Sequence, residues 1–293
     1  MNSMEFRSKM KSVANISHIV HSMETMATMK IMKLRTDAEK RKIYSQTLQQ
    51  ILSGILSLLT EEIPENRLLD MTHEDNKALL LLFSSDRGFS GNMTPMLLGQ
   101  SREFLRARPN SRVLSIGKKA GNALIKENFN VVAMIDKRLE NVDFFFAQNL
   151  ASDIVKGFLN GEFDSVHVSY MEFSNILIQR PVIRKIIPIE KIPTVTSQSK
   201  KIFPYESYII SPNAKSIFSF LVRKYMDAIV FQMLLEAAAS EQAIRMMSMK
   251  SASENAEKVL GKMQSDYQKM RQEKITRELI ELSSNSNFAK ETR

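Results

Sequence analysis

The chain has 293 residues, 43% of them hydrophobic and 25% charged, with a net charge of +9 and no cysteine. That length allows one large domain or two small ones, and the absent cysteines exclude disulfides and thiolate metal sites. No apolar run approaches the roughly 18 residues that a bilayer span needs, and Met1–Met10 has neither an apolar signal core nor the Arg/Ser-rich, acid-free character of a transit peptide, so a cytoplasmic protein is expected.

All eight prolines lie between Pro64 and Pro212, and seven of the nine glycines fall in the same stretch. Proline breaks helix interiors and glycine weakens them, so the two ends are free to form very long helices. Ser3 to Leu59 is the first. Its apolar or small residues recur at Phe6, Met10, Val13, Val20, Ala27, Ile31, Leu34 and Ala38 in steps of three, four or seven, which is a coiled-coil stripe. Glu61 to Asp75 reads as a linker.

The middle alternates strand and helix. Lys77–Phe83 is an apolar run of strand length, followed by a loop from Ser84. Asn92–Ala107 reads as helix, Arg112–Ile116 as strand, Lys118–Asn128 as helix, Val131–Ile135 as strand and Val142–Leu159 as helix. Asp164–Phe173 and Gln179–Ile189 read as a hairpin through Ser174-Asn175. Apolar strands alternating with helices predict a mostly parallel, Rossmann-like α/β domain with helices on both faces. Pro188 to Tyr208 is proline-dotted and reads as an extended connection. Ser211-Pro212 is a helix start, Ser as N-cap and Pro at the first helical position. From there helix propensity continues to about Leu282, with a stripe through Ala252, Ala256, Val259, Met263, Tyr267, Met270 and Ile275. A helix of this length would reach roughly 105 Å at 1.5 Å per residue. The fold expected is an antiparallel coiled coil of the terminal helices with the α/β domain inserted between them. Its domains are residues 1–62, 76–190, a connection over 191–210, and 211–293 with a polar tail.

Chemistry is sparse in this pattern. Ser84–Gly91 follows a strand and precedes a helix, where α/β proteins hold ligands, but it is neither G-x-G-x-x-G nor a P-loop. No G-x-S-x-G is present. His18 and His21 share a helix face without a third ligand at useful spacing. No catalytic residue, metal site or cofactor is expected. The charge is uneven: residues 1–42 hold nine Lys/Arg against four Asp/Glu, and residues 243–293 hold ten against seven. Basic helices suit an acidic partner, whether nucleic acid, anionic lipid or a protein surface, although a solvated helix face gives the same pattern. Contact and motion, a nucleic-acid-binding scaffold, and a nucleotide-using middle domain remain open on these grounds, the last opposed by the missing phosphate loop.

The ends carry longer motifs. Ser12-Val13-Ala14-Asn15-Ile16 and Met23-Glu24-Thr25-Met26-Ala27-Thr28-Met29-Lys30 resemble the N-terminal signature of the ATP synthase gamma subunit family. Ser240-Glu241-Gln242-Ala243-Ile244-Arg245-Met246-Met247-Ser248-Met249-Lys250 resembles its S-E-Q-x-A-R-M-x-A-M-K stretch. Arg271-Gln272, Ile275-Thr276 and Glu278-Leu279-Ile280-Glu281-Leu282 resemble its R-Q-x-x-I-T-x-E-L-x-E-I ending. Ser85-Asp86-Arg87-Gly88-Phe89-Ser90-Gly91 is similar to its S-D-R-G-L-C-G loop. The matches are collinear over essentially the whole chain. Departures are the polar run Ser283–Arg293, Asn92 where a second glycine is common, and a weak match over Ala133–Val142.

The resemblance implies a non-catalytic rotor shaft of an F-type ATP synthase or ATPase. It would stand as one copy inside a hexamer of alternating alpha and beta subunits, with the α/β domain at the foot near an epsilon subunit and a membrane rotor ring. Such a subunit would be peripheral on the inner face of a bacterial cell membrane. A paralogous shaft driving another machine fits the same motifs. By the resemblance, Met23, Lys30, Lys33 and Arg35 belong to the neck that meets the catalytic subunits. Arg271, Gln272, Thr276, Arg277 and Glu278 belong to the upper C-terminal helix held by the hexamer, and Asp86, Arg87 and Gly88 to the foot-domain loop.

Overall fold

The structure is a computed structural model and describes residues 3–58, 68, 77–189, 211 and 214–291. The expected linker 61–75, except residue 68, and the expected connection 191–210 lie outside the described residues. Two compact units result: Met1–Ala27 with Met246–Arg293, and Thr28–Arg245.

The first unit is a helix pair. It holds the start of α1 (Ser3–Leu58) and the end of α5 (Ala214–Glu291). Side chains turn inward on α1 at Phe6, Met10, Val13, Ser17, Val20, Glu24 and Ala27, in steps of four and three. On α5 the matching seam is Met249, Ser253, Ala256, Leu260, Met263, Tyr267 and Met270. Both follow the seven-residue repeat that keeps a seam facing its partner helix. The Phe6 ring, near the start of α1, stacks on that of Tyr267, near the end of α5, with centroids 6.2 Å apart, so the helices run antiparallel. The expected stripe is corrected in two places. Leu260, not Val259, continues the four-three spacing, and Val259 is exposed. Ile275 is exposed as well, because the inward stripe ends at Met270. Helix α5 also runs nine residues past its expected end, to Glu291; Ser283–Glu291 contains neither proline nor glycine, so no residue stops it.

The second unit is the α/β domain together with the remaining parts of α1 and α5. Its strands are β1 (Ala78–Phe83), β2 (Arg112–Ile116), β3 (Val131–Ile135), β4 (Ser165–Phe173) and β5 (Gln179–Ile187). They lie in the order β3-β2-β1-β4-β5. All neighbours are parallel except the β4–β5 hairpin. Central β1, the run Ala-Leu-Leu-Leu-Leu-Phe, is buried along its whole length, as a strand covered on both faces must be. The helices of the domain are α2 (Met93–Arg106), α3 (Lys118–Lys126) and α4 (Phe144–Leu159), and a 3-10 turn spans Leu139–Asn141.

The pleat of β4 separates the two faces of the sheet, because successive side chains point to opposite sides. Ser169 meets Ser101 of α2 at 3.0 Å, and the His167 ring lies 4.8 Å from Phe104 of the same helix. The next residue, Tyr170, points the other way and donates to Glu236 of α5. One face therefore carries α2, and the opposite face carries the first half of α5. Helix α4 joins α5 through an edge-on contact of Phe144 with Phe231 and a bond from Gln148 to Asp227. Val222, Val230, Leu234, Ala237 and Ala238 of α5 are fully buried, in one core with Leu52 and Ile55 of α1 and the sheet. The small run Ala237-Ala238-Ala239 lets this helix lie close to its neighbours. The first half of α5 is thus as much part of the domain core as any of its own helices.

Candidate functional site

The loop after β1 is where a doubly wound sheet holds ligands, since strand order reverses there. Its serines Ser84, Ser85 and Ser90 are buried, and Asp86 and Arg87 bond to other parts of the domain. Ser84 N–H and Oγ both donate to the Ile116 carbonyl, at 2.9 and 3.0 Å. Gly117, at φ +99°, lies against this contact; a Cβ there would sit 2.6 Å from Ser84 Oγ and 2.8 Å from its carbonyl oxygen. The Asp86 carboxylate accepts the backbone N–H groups of Lys118 and Lys119, each at 2.8 Å. These are the first residues of α3, whose N-terminus carries partial positive charge and free N–H donors that suit an anion. A carboxylate of the chain itself fills the place a phosphate would take.

Arg87 and Ser85 face the long helices. The Glu140 side chain, only 8% exposed, projects from the 3-10 turn, whose Leu139 is buried. One of its oxygens accepts from Arg87 Nη1 at 2.7 Å. The other accepts from Lys30 Nζ of α1 at 2.6 Å and from Gln242 Nε2 of α5 at 3.1 Å. Burial pushes this carboxyl up, but the Lys30 hydrogen bond and the charges of Arg87, Lys30 and Arg245 outweigh it and hold the group below the ordinary glutamate range. Beside it, Glu241 accepts from Ser85 Oγ at 2.6 Å and pairs with Arg245 at 2.5 Å, both side chains almost wholly buried. Arg245 Nη1 finds no acceptor among the described residues. A second set of bonds lies further down the same face: Ser240 Oγ donates to the Met171 carbonyl, and Tyr170 to Glu236. Burial and the neighbouring Glu236 push the Tyr170 hydroxyl far above its ordinary range, so it remains a donor at any pH the fold meets. Buried charges are tolerated only when paired and fully hydrogen-bonded, and Glu140 is both.

The residues named by resemblance fall into two groups. In the second unit, Lys30 is held by Glu140, Arg87 joins the same carboxylate, and Asp86 caps α3. Gly88 is exposed, as are Lys33 and Arg35, the latter in an exposed pair with Glu39 at 2.9 Å. Arg35 and Glu39 edge a groove of about 770 Å³ between α1, the hairpin tip Phe173–Ile178, and Gln232 and Glu236 of α5. In the first unit, Met23 is half-buried, and Arg271, Gln272, Thr276, Arg277 and Glu278 are all exposed. There Thr276 Oγ1 donates to the Gln272 carbonyl and Glu278 lies 3.6 Å from Lys274. No sequence pattern marks Glu140, and Glu241, Gln242 and Arg245 stand in the Ser240–Lys250 motif with no role that their spacing reveals. Among the described residues no group of three His, Asp or Glu is placed to hold a metal ion, and no helix is long and apolar enough to cross a membrane.

The second unit, a mostly parallel α/β domain whose core takes in parts of two long helices and whose loop after β1 caps a helix with its own carboxylate, is of the class in which an α/β domain is inserted between terminal helices. The chain belongs to the ATP synthase gamma chain family. The family model described as ATP synthase matches residues 2–287. The ATP synthase gamma chain of Dictyoglomus turgidum is 33% identical over 97% of both chains. That of Polynucleobacter necessarius is 32% identical over 96% of this chain and 97% of its own. Among solved structures, the central stalk of Tetrahymena thermophila mitochondrial ATP synthase superposes with a TM-score of 0.58 at 19% identity. It covers 80% of this chain and 99% of that one. The rotor of Euglena gracilis mitochondrial ATP synthase gives 0.55 at 15% identity, covering 93% and 98%.

Proposed function

We propose that this chain is the central rotor shaft of an F-type ATP synthase, turning inside a hexamer of alpha and beta subunits and carrying no catalytic residue of its own. The observation that carries the reading is the meeting of two family-like segments far apart in sequence. The loop Ser85–Gly91 and the stretch Ser240–Lys250 are joined by Ser85 to Glu241 and, through Glu140, by Arg87 to Gln242. Their shared use is to fix the α/β domain on the helices. An asymmetric shaft of this kind biases each catalytic subunit toward a different state by differential contact, and ATP turnover at those subunits turns it. On this reading Lys33, Arg35 and Met23 meet acidic surfaces of the beta subunits, and Arg271, Gln272, Thr276, Arg277 and Glu278 face the hexamer's inner wall. The α/β domain meets an epsilon subunit and the membrane rotor ring, and the complex holds the chain at the inner face of the membrane. Native mass spectrometry of the tagged protein drawn from its own cells tests this. One copy with three alpha-like and three beta-like subunits supports it. Recovery with nucleic acid, or as a homo-oligomer alone, overturns it, and a hexamer lacking any ring would assign the shaft to another machine.

A further inference from the structure

The contact between the α/β domain and the helices of its unit is largely apolar. Apolar contact is non-directional and opposes separation more than sliding. Sideways load is resisted by short, charge-assisted hydrogen bonds, which depend on angle as well as distance. Glu140 concentrates such bonds. Its two oxygens take donors from three separate elements: Lys30 on α1, Gln242 on α5 and Arg87 on the loop after β1. Its own side chain is buried while Lys30 and Arg87 are partly exposed, so salt screens these bonds only in part. Its backbone is held by the 3-10 turn through buried Leu139. On α5 the adjacent residue, Glu241, is bonded to Ser85 of the same loop, so that loop is gripped from two neighbouring positions.

We propose that Glu140 is the pin that fixes the angular position of the α/β domain on α1 and α5, so that twist passes between the domain and the helices without slip. The proposal rests on the rotor reading. Glu140 is a positioning residue: it touches no substrate and acts through the three groups it holds. Removing its charge takes the shared carboxylate from the Lys30 and Arg87 cations, and the domain should then rock on an otherwise intact fold.

The chain has no cysteine, so one placed at exposed Lys126 gives a single attachment point on this chain for a bead, the chain being labelled before it is assembled into the complex. With the hexamer fixed to a surface and rotation stalled, the angular variance of the bead reports the stiffness of the link. Glu140→Gln should raise that variance at least about two-fold, the smallest effect expected of a residue in a coupling network, while ATP hydrolysis by the complex changes less than two-fold. Glu140→Asp, which keeps the charge, should recover part of the stiffness. Arg102→Gln removes another ion pair of the same domain, to Glu127, and should leave the variance unchanged. If Glu140→Gln does not assemble, Lys30→Gln, which leaves Glu140 paired with Arg87, should raise the variance in its place. Unchanged variance in a rotating complex, or an equal rise in Arg102→Gln, overturns the pin and leaves the rotor reading standing. A wild-type chain that forms no rotating complex overturns both.

Discussion

Asp86 does for α3 what the helix cannot do for itself. The residue before α3 is Gly117, which has no side chain to cap the free N–H groups, and the cap comes from 31 positions earlier in the chain. Losing a side-chain cap costs about 0.5–2 kcal/mol, and the carboxylate adds its charge at the positive end of the helix. Asp86→Ala should therefore lower the free energy of unfolding by about 1–2 kcal/mol, and Asp86→Asn by less. Urea unfolding would show it; equal midpoints for wild type and Asp86→Ala would remove the cap from the account. Glu140 makes a second residue-level expectation, in pH. Its folded pKa lies below the ordinary value of 4.5. A depressed carboxylate contributes stability that is present above the unfolded pKa and is lost as pH falls through the folded one. Wild type should lose stability below about pH 4.5 more steeply than Glu140→Gln, whose amide does not titrate. Parallel curves in that acid range would show that the carboxylate gains nothing from its cations.

At the scale of elements, β1 was legible as a short, wholly apolar run and is buried on both faces, and β4 and β5 were legible as segments rich in β-branched and aromatic residues on either side of the turn at Ser174-Asn175. The long helices were legible from absent proline and a repeating stripe. Two things were not. The stripe of α5 is expected through Val259, since three and then four residues from Ala256 to Met263 fit a helix face; the structure turns Leu260 inward instead, at four and then three. Leu260→Ala should accordingly cost about 1–2 kcal/mol of stability for a half-buried leucine, against less than about 0.5 kcal/mol for Val259→Ala. A larger loss at Val259 in thermal unfolding would restore the original seam. The other illegible feature was the Glu140 cluster. Its partners lie 53, 102 and 110 positions away, and no local pattern marks a glutamate whose donors come from three distant elements. Nor could the stretch around it supply a hint by resemblance, since Ala133–Val142 matches the family only weakly. The loop residues Asp86 and Arg87 were found by motif alone; their jobs, cap and ion pair, needed coordinates.

For the whole molecule, the charge distribution takes on a sharper meaning once internal pairs are removed from it. Much of the +9 lies in the terminal stretches, but the basic neck residues are not equivalent. Lys30 is held by a buried carboxylate within the chain, so reversing it would disturb the fold of its own unit and mislead about partners. Lys33 is exposed, and Arg35 forms an exposed pair with Glu39. Exposed pairs of this kind contribute about 0–1 kcal/mol. Lys33→Glu with Arg35→Glu should therefore leave the isolated chain's unfolding midpoint close to wild type. On the proposed rotor reading, in which Lys33 and Arg35 meet acidic loops of the catalytic subunits, the same two changes would set like charges against each other in the assembled complex. A loss of about 1.4 kcal/mol in that contact corresponds to about a tenfold fall in ATP turnover. The deficit should shrink as salt rises, because exposed charges are screened beyond about 10 Å at 0.1 M. Turnover by an intact complex that is unchanged at low salt would show that this basic face is solvated and that the coupling contact lies elsewhere. Turnover lost together with the folded chain's own stability would place the defect inside the subunit instead. Running Lys30→Gln beside the double variant separates those two sources: it should loosen the Glu140 cluster while leaving the outward charges of Lys33 and Arg35 in place.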